Sequence, residues 1–332
     1  MKQAIVTLLA SVALIATPLA IAQEPPNVSP PLIIDKVNNT ALPEIMRPGV
    51  YSDAALKAQI LLDRAYFSPG QIDGRYGGNM RKALAGYQLQ KDLPVTGKLD
   101  KDTWIALNDN DGAPVLGTYE MAEEDVSGPF IKPYPKTMAE QAKLPCSCYS
   151  SPEEGLGEKY HVSPEVLKKL NPDKSYDQTG TVIVVPIVRS DAPAVRATSV
   201  VVTKHDKTVR ALDKDGHVLA QYPATIGSLH DPLPLGSWKI MGVARHPEYH
   251  YSPKYFWNAN PMDEKAVIPK GPNNPVGVVW IQLSKPNYGI HGTPDPAKIS
   301  TTESHGCIRL TNWDAWELAK MVRPGTPAIL QD

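Results

Sequence analysis

Cysteine is scarce in this chain of 332 residues, with three copies at positions 146, 148 and 307. No second Cys or His pair lies at ligand spacing near the first two, which disfavours a structural zinc site there. Charge of one sign is not in excess either. The 34 Lys and Arg balance 35 Asp and Glu, for a formal net charge of −1, which argues against a nucleic-acid partner held by a basic surface. No long apolar run occurs after residue 21, so the body of the chain offers no membrane span. What the sequence does have is length enough for two or three domains, and 33 prolines, which imply many turns and linkers.

The first residues read as an export leader. Met1-Lys2 is a short basic start, Ala4 to Ile21 is apolar, and Ala20-Ile21-Ala22 fits a small-x-small cleavage pattern. The mature chain is expected to begin at Gln23, and loss of Lys2 takes the formal charge to −2. The competing reading is a membrane anchor, but the run is barely long enough to span and a good cleavage site follows it. With no Cys at that site a lipid anchor is not expected, so the protein should be soluble, exported and periplasmic. Cysteine usage fits an oxidising compartment with one thiol kept free. Cys146 and Cys148 can form a disulfide across one residue, and Cys307 stands alone.

The chemistry-bearing stretch is Tyr288 to Asn312, YGIHGTPDPAKISTTESHGCIRLTN. His291 sits among Ile290, Gly292 and Thr293, and Cys307 follows beside His305, Gly306 and Arg309. A thiol is mostly protonated at neutral pH, and an imidazole can take its proton to leave a reactive thiolate. Gly306 lets the backbone turn sharply before Cys307, so that amides can face a developing oxyanion. Taken singly, an isolated Cys is more often an inert small hydrophobe and a lone His a structural residue. His246 and His250 flank Glu248, but Pro247 follows the first His and the Glu falls one place late for H-E-x-x-H, so this reads as a loop near the cleft.

The combination of H-G-T with S-H-G-C-I-R closely resembles the L,D-transpeptidase, or YkuD, catalytic domain, a family of peptidoglycan cross-linking enzymes. Tyr222 to Ile240 and Pro269 to Gly292 also resemble it. Where the family often has Asn two residues after the Cys, Arg309 stands here as a subfamily mark. The resemblance implies Cys307 as nucleophile and His291 as base, its ring held by the Gly292 carbonyl. It also implies an oxyanion hole from the amides of His305, Gly306 and Cys307, and a loop ordered by Ser304. Arg309 would pair with a substrate carboxylate or a nearby Asp. Neither metal nor other cofactor is expected. The implied partners are peptidoglycan stem peptides and glycan strands, with another stem, an outer-membrane lipoprotein or water as acyl acceptor. Inhibition by carbapenems through Cys307 is implied as well.

The rest divides by pattern. Residues 23–50, rich in Pro and Asn, read as a linker or partly ordered arm. Residues 51–108 carry three helical stretches, with Asp100 or Asp102 as a cap for the last, and resemble a peptidoglycan-binding-like helical domain. Residues 109–142, with an acidic cluster at Glu120 to Asp125, read as a solvated linker. Residues 143–188 place two short helices before the β-branched run TVIVVPIV. This unit resembles a LysM module, with an unusual first strand near Cys146 to Tyr149. Residues 196–331 show short alternating strands, a hairpin at Asp213-Lys214-Asp215-Gly216 and one helix from Trp313 to Val322, capped by Asn312 or Thr311. The expected fold is multidomain α+β, with a mainly-β sandwich as the catalytic domain.

Overall fold

The computed structural model describes residues 30–189, 191–257 and 259–332, so the expected leader lies outside the described residues. The chain opens with four helices, α1 (Pro30–Asn38), α2 (Asp53–Arg64), α3 (Gly78–Gln90) and α4 (Lys101–Asn110). The last three fall where the helical spacing puts them. Ser52 caps α2 by accepting from the Ala55 amide at 3.1 Å, and Asp100 caps α4 by accepting from Thr103 at 2.9 Å. Leu56, Ile60, Leu84 and Tyr87 are buried between them, with Tyr87 edge-on to Phe67 at 5.8 Å.

Of residues 23–50, expected to be a linker or a partly ordered arm, 23–29 lie outside the described residues, and 30–50 carry α1, which packs on the core. Val37 of α1 is buried in that core, with Ile33 and Ile34 packed against it. Asn38 then accepts from the amides of Val115 and Leu116 at 2.9 and 3.0 Å. This fixes the arm to a strand far along the chain. The surrounding prolines hide an apolar pattern only one turn long.

The supposed linker 109–142 is also structured. It holds β1 (Leu116–Glu120), α5 (Glu123–Val126) and α6 (Met138–Gln141). β1 pairs antiparallel with β2 (Val182–Pro186), from Leu116↔Pro186 to Glu120↔Val182, and α7 (Pro152–Lys159) and α8 (Pro164–Leu170) lie between the two strands in sequence. The unit is thus β-α-α-β, and its first strand is Leu116–Glu120 rather than the stretch near Cys146 to Tyr149. β1 has a single buried side chain, Leu116, so its alternation is weak. Asn171 locks α8 to β2, donating to Val184 O at 2.8 Å and accepting from Val184 N at 2.6 Å. Residues 121–150 form an excursion between the first strand and the two longer helices.

The helical domain and the β-α-α-β unit share one hydrophobic core. Ile72 bridges them through Ile72 N→His161 O at 2.8 Å and Ser163 N→Ile72 O at 2.9 Å. Buried Arg64 donates to the carbonyls of Ile187 and Pro114 at 2.6 and 2.5 Å. It therefore closes both ends of the unit onto α2.

The remaining strands are β3 (Ser199–Thr203), β4 (Thr208–Leu212), β5 (Val218–Pro223), β6 (Thr225–Ile226), β7 (Gly236–Arg245), β8 (Tyr249–Tyr251), β9 (Ala266–Ile268), β10 (Val279–Leu283), β11 (Gly289–His291), β12 (Ile308–Arg309) and β13 (Pro327–Gln331). Nine of them form one sheet in the order β5-β4-β3-β13-β7-β10-β11-β12-β6, while β8 and β9 pair as a separate hairpin. β5 and β6 occupy opposite ends of that order yet are separated in sequence by Ala224 alone. The sheet must therefore wrap back on itself, which gives the mainly-β sandwich. Val200, Val209, Ile281 and Ile290 fill its core together with Leu318 of α9 (Asn312–Met321). Thr311 is the cap of α9, accepting from Asp314 N at 3.2 Å.

The N-terminal body covers the exposed edge of β5. Ser68 N donates to Gln221 O at 2.9 Å and Gln221 N to Tyr66 O at 2.8 Å. Loop 66–68 thus extends the sheet and removes an unpaired edge.

Candidate active site

β10 and β11 form a hairpin, and β11 runs parallel to β12 with Ile290↔Ile308 and His291↔Arg309 in register. This pairing brings the end of one strand, which carries His291, beside the residue that enters the other, Cys307. The apolar partners Ile290 and Ile308 are fully buried and anchor both strands in the core. The functional side chains are therefore held by rigid elements on one side and by loops 292–307 and 284–288 on the other.

His291 is 3 % exposed, and its Nδ1 lies 2.7 Å from the carbonyl of Gly292. Burial lowers its pKa to about 3, Arg309 adds to the effect, and the Gly292 carbonyl opposes it. The ring is neutral at physiological pH. Nδ1–H donates to Gly292 O, and Nε2 is left as the basic nitrogen. The indole of Trp280, opposite His291 in the β-ladder, stacks on the ring at 5.4 Å.

The Cys307 thiol is only partly accessible, and burial pushes its pKa up, against the Gly289 backbone amide and Arg309. Its Sγ lies 3.8 Å from the carbonyl of Asn287. Resting thiol and imidazole are both neutral. Ser304 is buried, donates its hydroxyl to Cys307 O at 2.6 Å, and ties its amide to Gly227 O at 3.1 Å. Gly306 has φ +95°, and a Cβ there would stand 2.8 Å from Tyr288 Cε1. Glycine at this position is thus required both by backbone conformation and by space. The His305 ring packs on Phe256 at 4.9 Å, and burial and Arg309 lower its pKa. Arg309 is placed within 3.4 Å of the Glu303 carbonyl.

The structure thus places His291, His305, Cys307 and Arg309 on one cleft, with Ser304 bonded to the Cys307 carbonyl behind it. It adds others that no local pattern marks. Trp280 and Asn287 touch the pair directly. Asn312 sits behind it, accepting from Val278 N and donating to Pro272 O, both at 3.2 Å. A Cβ on Gly292 would fall 2.2 Å from Asn312 Oδ1, so this carbonyl-bearing glycine and the asparagine are fitted to each other. One Trp in a strand, an Asn in a loop and an Asn after a helix cap are common enough in sequences to carry no signal alone.

His291, Cys307 and Arg309 open into a cleft of about 890 Å³. Tyr249, Tyr251 and Phe256 from the β8–β9 region form one side, and Lys136, Thr137 and Met138 from the 121–150 excursion form another. Glu248 and His250 line the same cleft, as expected for that loop, whereas the His246 ring packs on Trp316 at 5.3 Å. Among the described residues, the His/Asp/Glu group with ligand atoms close enough to share an ion is Asp213, Asp215 and His217, in the β4–β5 turn. His246 and His250 form no such group.

Comparison with known proteins finds two families along the chain. Residues 197–330 match the YkuD family, the L,D-transpeptidase catalytic domain, and residues 52–107 match a family of domains described as peptidoglycan-binding. A Bacillus subtilis (strain 168) protein named as an L,D-transpeptidase, YkuD, is 30 % identical over 168 residues, spanning 50 % of this chain and 85 % of its own. A Bacillus licheniformis protein of the same name is 29 % identical over 175 residues, or 52 % and 89 % of the two chains. An Escherichia coli (strain K12) protein named as an L,D-transpeptidase, YbiS, is 27 % identical over 185 residues, or 53 % and 59 %. The chain belongs to the L,D-transpeptidase family and is an enzyme of that class.

Proposed function

We propose that the protein is a cysteine-dependent acyltransferase of the cell wall, exported to the periplasm, that acts on peptidoglycan stem tetrapeptides. The observation that carries this reading is the neutral His291, fixed by Nδ1–H donation to Gly292 O at 2.7 Å on a strand in parallel register with the one that Cys307 enters. Nε2 takes the thiol proton as Sγ attacks the carbonyl of the third stem residue. Because both groups rest neutral, proton transfer and attack are coupled rather than preceded by a standing ion pair. The amides of His305, Gly306 and Cys307 receive the oxyanion, in the turn that the positive φ of Gly306 creates. His291 returns the proton to the leaving D-alanine amine, and a thioester remains on Cys307. An acceptor amine, deprotonated by His291, then displaces the thiolate.

If that amine is the side chain of a neighbouring stem's third residue, the product is a 3→3 cross-link. An amine of an outer-membrane lipoprotein would give a protein–wall linkage, and water would give a carboxypeptidase. The peptide bond cleaved supplies the energy in each case. Residues 51–108 form the wall-binding domain and 196–331 the catalytic domain. The β-α-α-β unit is proposed as a LysM-like glycan reader between them.

The test is intact mass after incubation with a disaccharide tetrapeptide, for the protein and for Cys307→Ala. An adduct lacking D-alanine, or a dimeric product, seen only with the thiol present supports the reading and names the acceptor. Turnover that survives Cys307→Ala refutes it.

A further inference from the structure

The wall of the cleft formed by Lys136, Thr137 and Met138 belongs to the N-terminal body, not to the catalytic domain. Residues 127–150 leave the β-α-α-β unit, cross to the loop that follows β9 in the catalytic domain, and return. They are fastened there by specific bonds. Ser147, fully buried, accepts from Asn273 N at 2.8 Å, donates its amide to Lys270 O at 3.0 Å and donates its hydroxyl to Pro269 O at 2.6 Å. Asn273 Nδ2 donates to Cys148 O at 3.1 Å, and Tyr134 OH donates to Asn273 O at 2.9 Å. The Cys146–Cys148 disulfide brackets Ser147 and holds this short segment in the shape that docks. Gly271, at φ +147°, leaves room for it, since a Cβ there would lie 2.3 Å from Ser147 O. Between the anchors, Thr137 caps α6 through Glu140, whose carboxylate accepts from the Thr137 hydroxyl at 2.8 Å. The tip carrying Lys136 is therefore a built element of the cleft.

Lys136 is exposed and, among the described residues, its ammonium makes no ion pair. It faces the same cleft as Arg309. The cleft acids are Glu248 and Asp263; Asp263 is engaged by Tyr251 OH at 2.9 Å, and neither acid forms an ion pair with Lys136. We propose that residues 127–150 are a strap that forms part of the peptide cleft, and that Lys136 is a specificity-determining residue that pairs with a carboxylate of an acidic peptide substrate. The inference rests on the function proposed above for the same cleft. It makes the N-terminal body part of substrate selection rather than a tether alone.

The experiment uses the full chain carrying Cys307→Ala, so that binding is read without turnover. Two tetrapeptides are titrated calorimetrically, one with its carboxylates free and one with them amidated. Lys136→Ala should weaken the acidic peptide about 3- to 5-fold, the range of a solvent-exposed charge pair, and Lys136→Glu should weaken it further. Neither change should alter affinity for the amidated peptide, and the Lys136→Ala effect should shrink as salt is raised. Equal weakening of both peptides, no weakening of either, or a protein that binds neither, overturns the proposal. Acylation of Cys307 is measured in parallel with the thiol present. Carboxylate-dependent binding without acylation sinks the transpeptidase reading and leaves Lys136 in its role, whereas acylation indifferent to Lys136→Ala does the reverse.

Discussion

Asp314 offers the sharpest test of how the N-terminal body and the catalytic domain are joined. It lies in the first turn of α9, 3 % exposed, and its carboxylate accepts from the Ser68 hydroxyl at 3.0 Å, across the junction. Burial raises its pKa to about 7, Asp63 adds to this, and hydrogen bonds from Thr311 and Ser68 together with His161 oppose it. Glu158 and Glu317 lie along the same junction and are raised too, Glu158 to about 8, each mainly by burial. A carboxyl whose folded pKa exceeds its unfolded one stabilises most below the unfolded value, and that stability is lost as pH rises through the folded one. For Asp314 the window runs from its ordinary 3.8 to about 7. At about 1.4 kcal/mol per pH unit, ionisation costs about 4 kcal/mol of stability by pH 8. Asp314→Asn keeps the shape and cannot ionise. Urea unfolding should find the variant more stable than the parent by a few kcal/mol at pH 9. At pH 5 about 1.6 kcal/mol of that loss has already accrued, so, set against about 1 kcal/mol for an altered hydrogen bond, the variant should be equal to the parent or only slightly more stable. A stability difference that stays constant from pH 5 to 9 would refute the buried-acid argument.

Other expectations concern the site. With His291 neutral above about pH 3 and the Cys307 thiol pushed upward, alkylation by iodoacetamide should keep accelerating through pH 9; an inflection between pH 6 and 7.5 would contradict the neutral pair. Gly306→Ala places a Cβ 2.8 Å from Tyr288 Cε1 at a positive φ. Stem-peptide acylation of Cys307 should fall about 100-fold or more through a displaced oxyanion turn, read by intact mass, and a near-normal rate would show that the turn is not used. Asn312→Ala removes two hydrogen bonds and the packing against Gly292, and should cost about 1–3 kcal/mol in urea unfolding. Substitution of both Cys146 and Cys148 by Ser should weaken acidic and amidated peptides alike, because it frees the whole strap rather than one charge; unchanged affinity for both would show that Ser147 docks without its disulfide.

The sequence by itself determined the family and the local elements. The resemblance of the His291–Thr293 and Ser304–Arg309 motifs to a known family implied the pair and the Gly292 carbonyl beside the imidazole, and 3.6-residue periodicity marked α2 to α4. Alternating valines marked the strands around the D-G turn. These signals are local, because a nucleophile loop and an amphipathic face are each written in adjacent residues. Tertiary structure alone decided the rest. β1 has one buried side chain and becomes a strand only by pairing with β2, beyond the whole excursion and two helices. α1 becomes a helix against a core that its prolines conceal. The acidity of Asp314 depends on Asp63, Ser68 and His161, which no pattern places beside it. Lys136 joins the cleft of Cys307 because Ser147 docks on residues 269–273, a contact between segments with no shared periodicity. Burial and charge at a site are sums over everything that folds against it, and that sum exists only once the chain has closed.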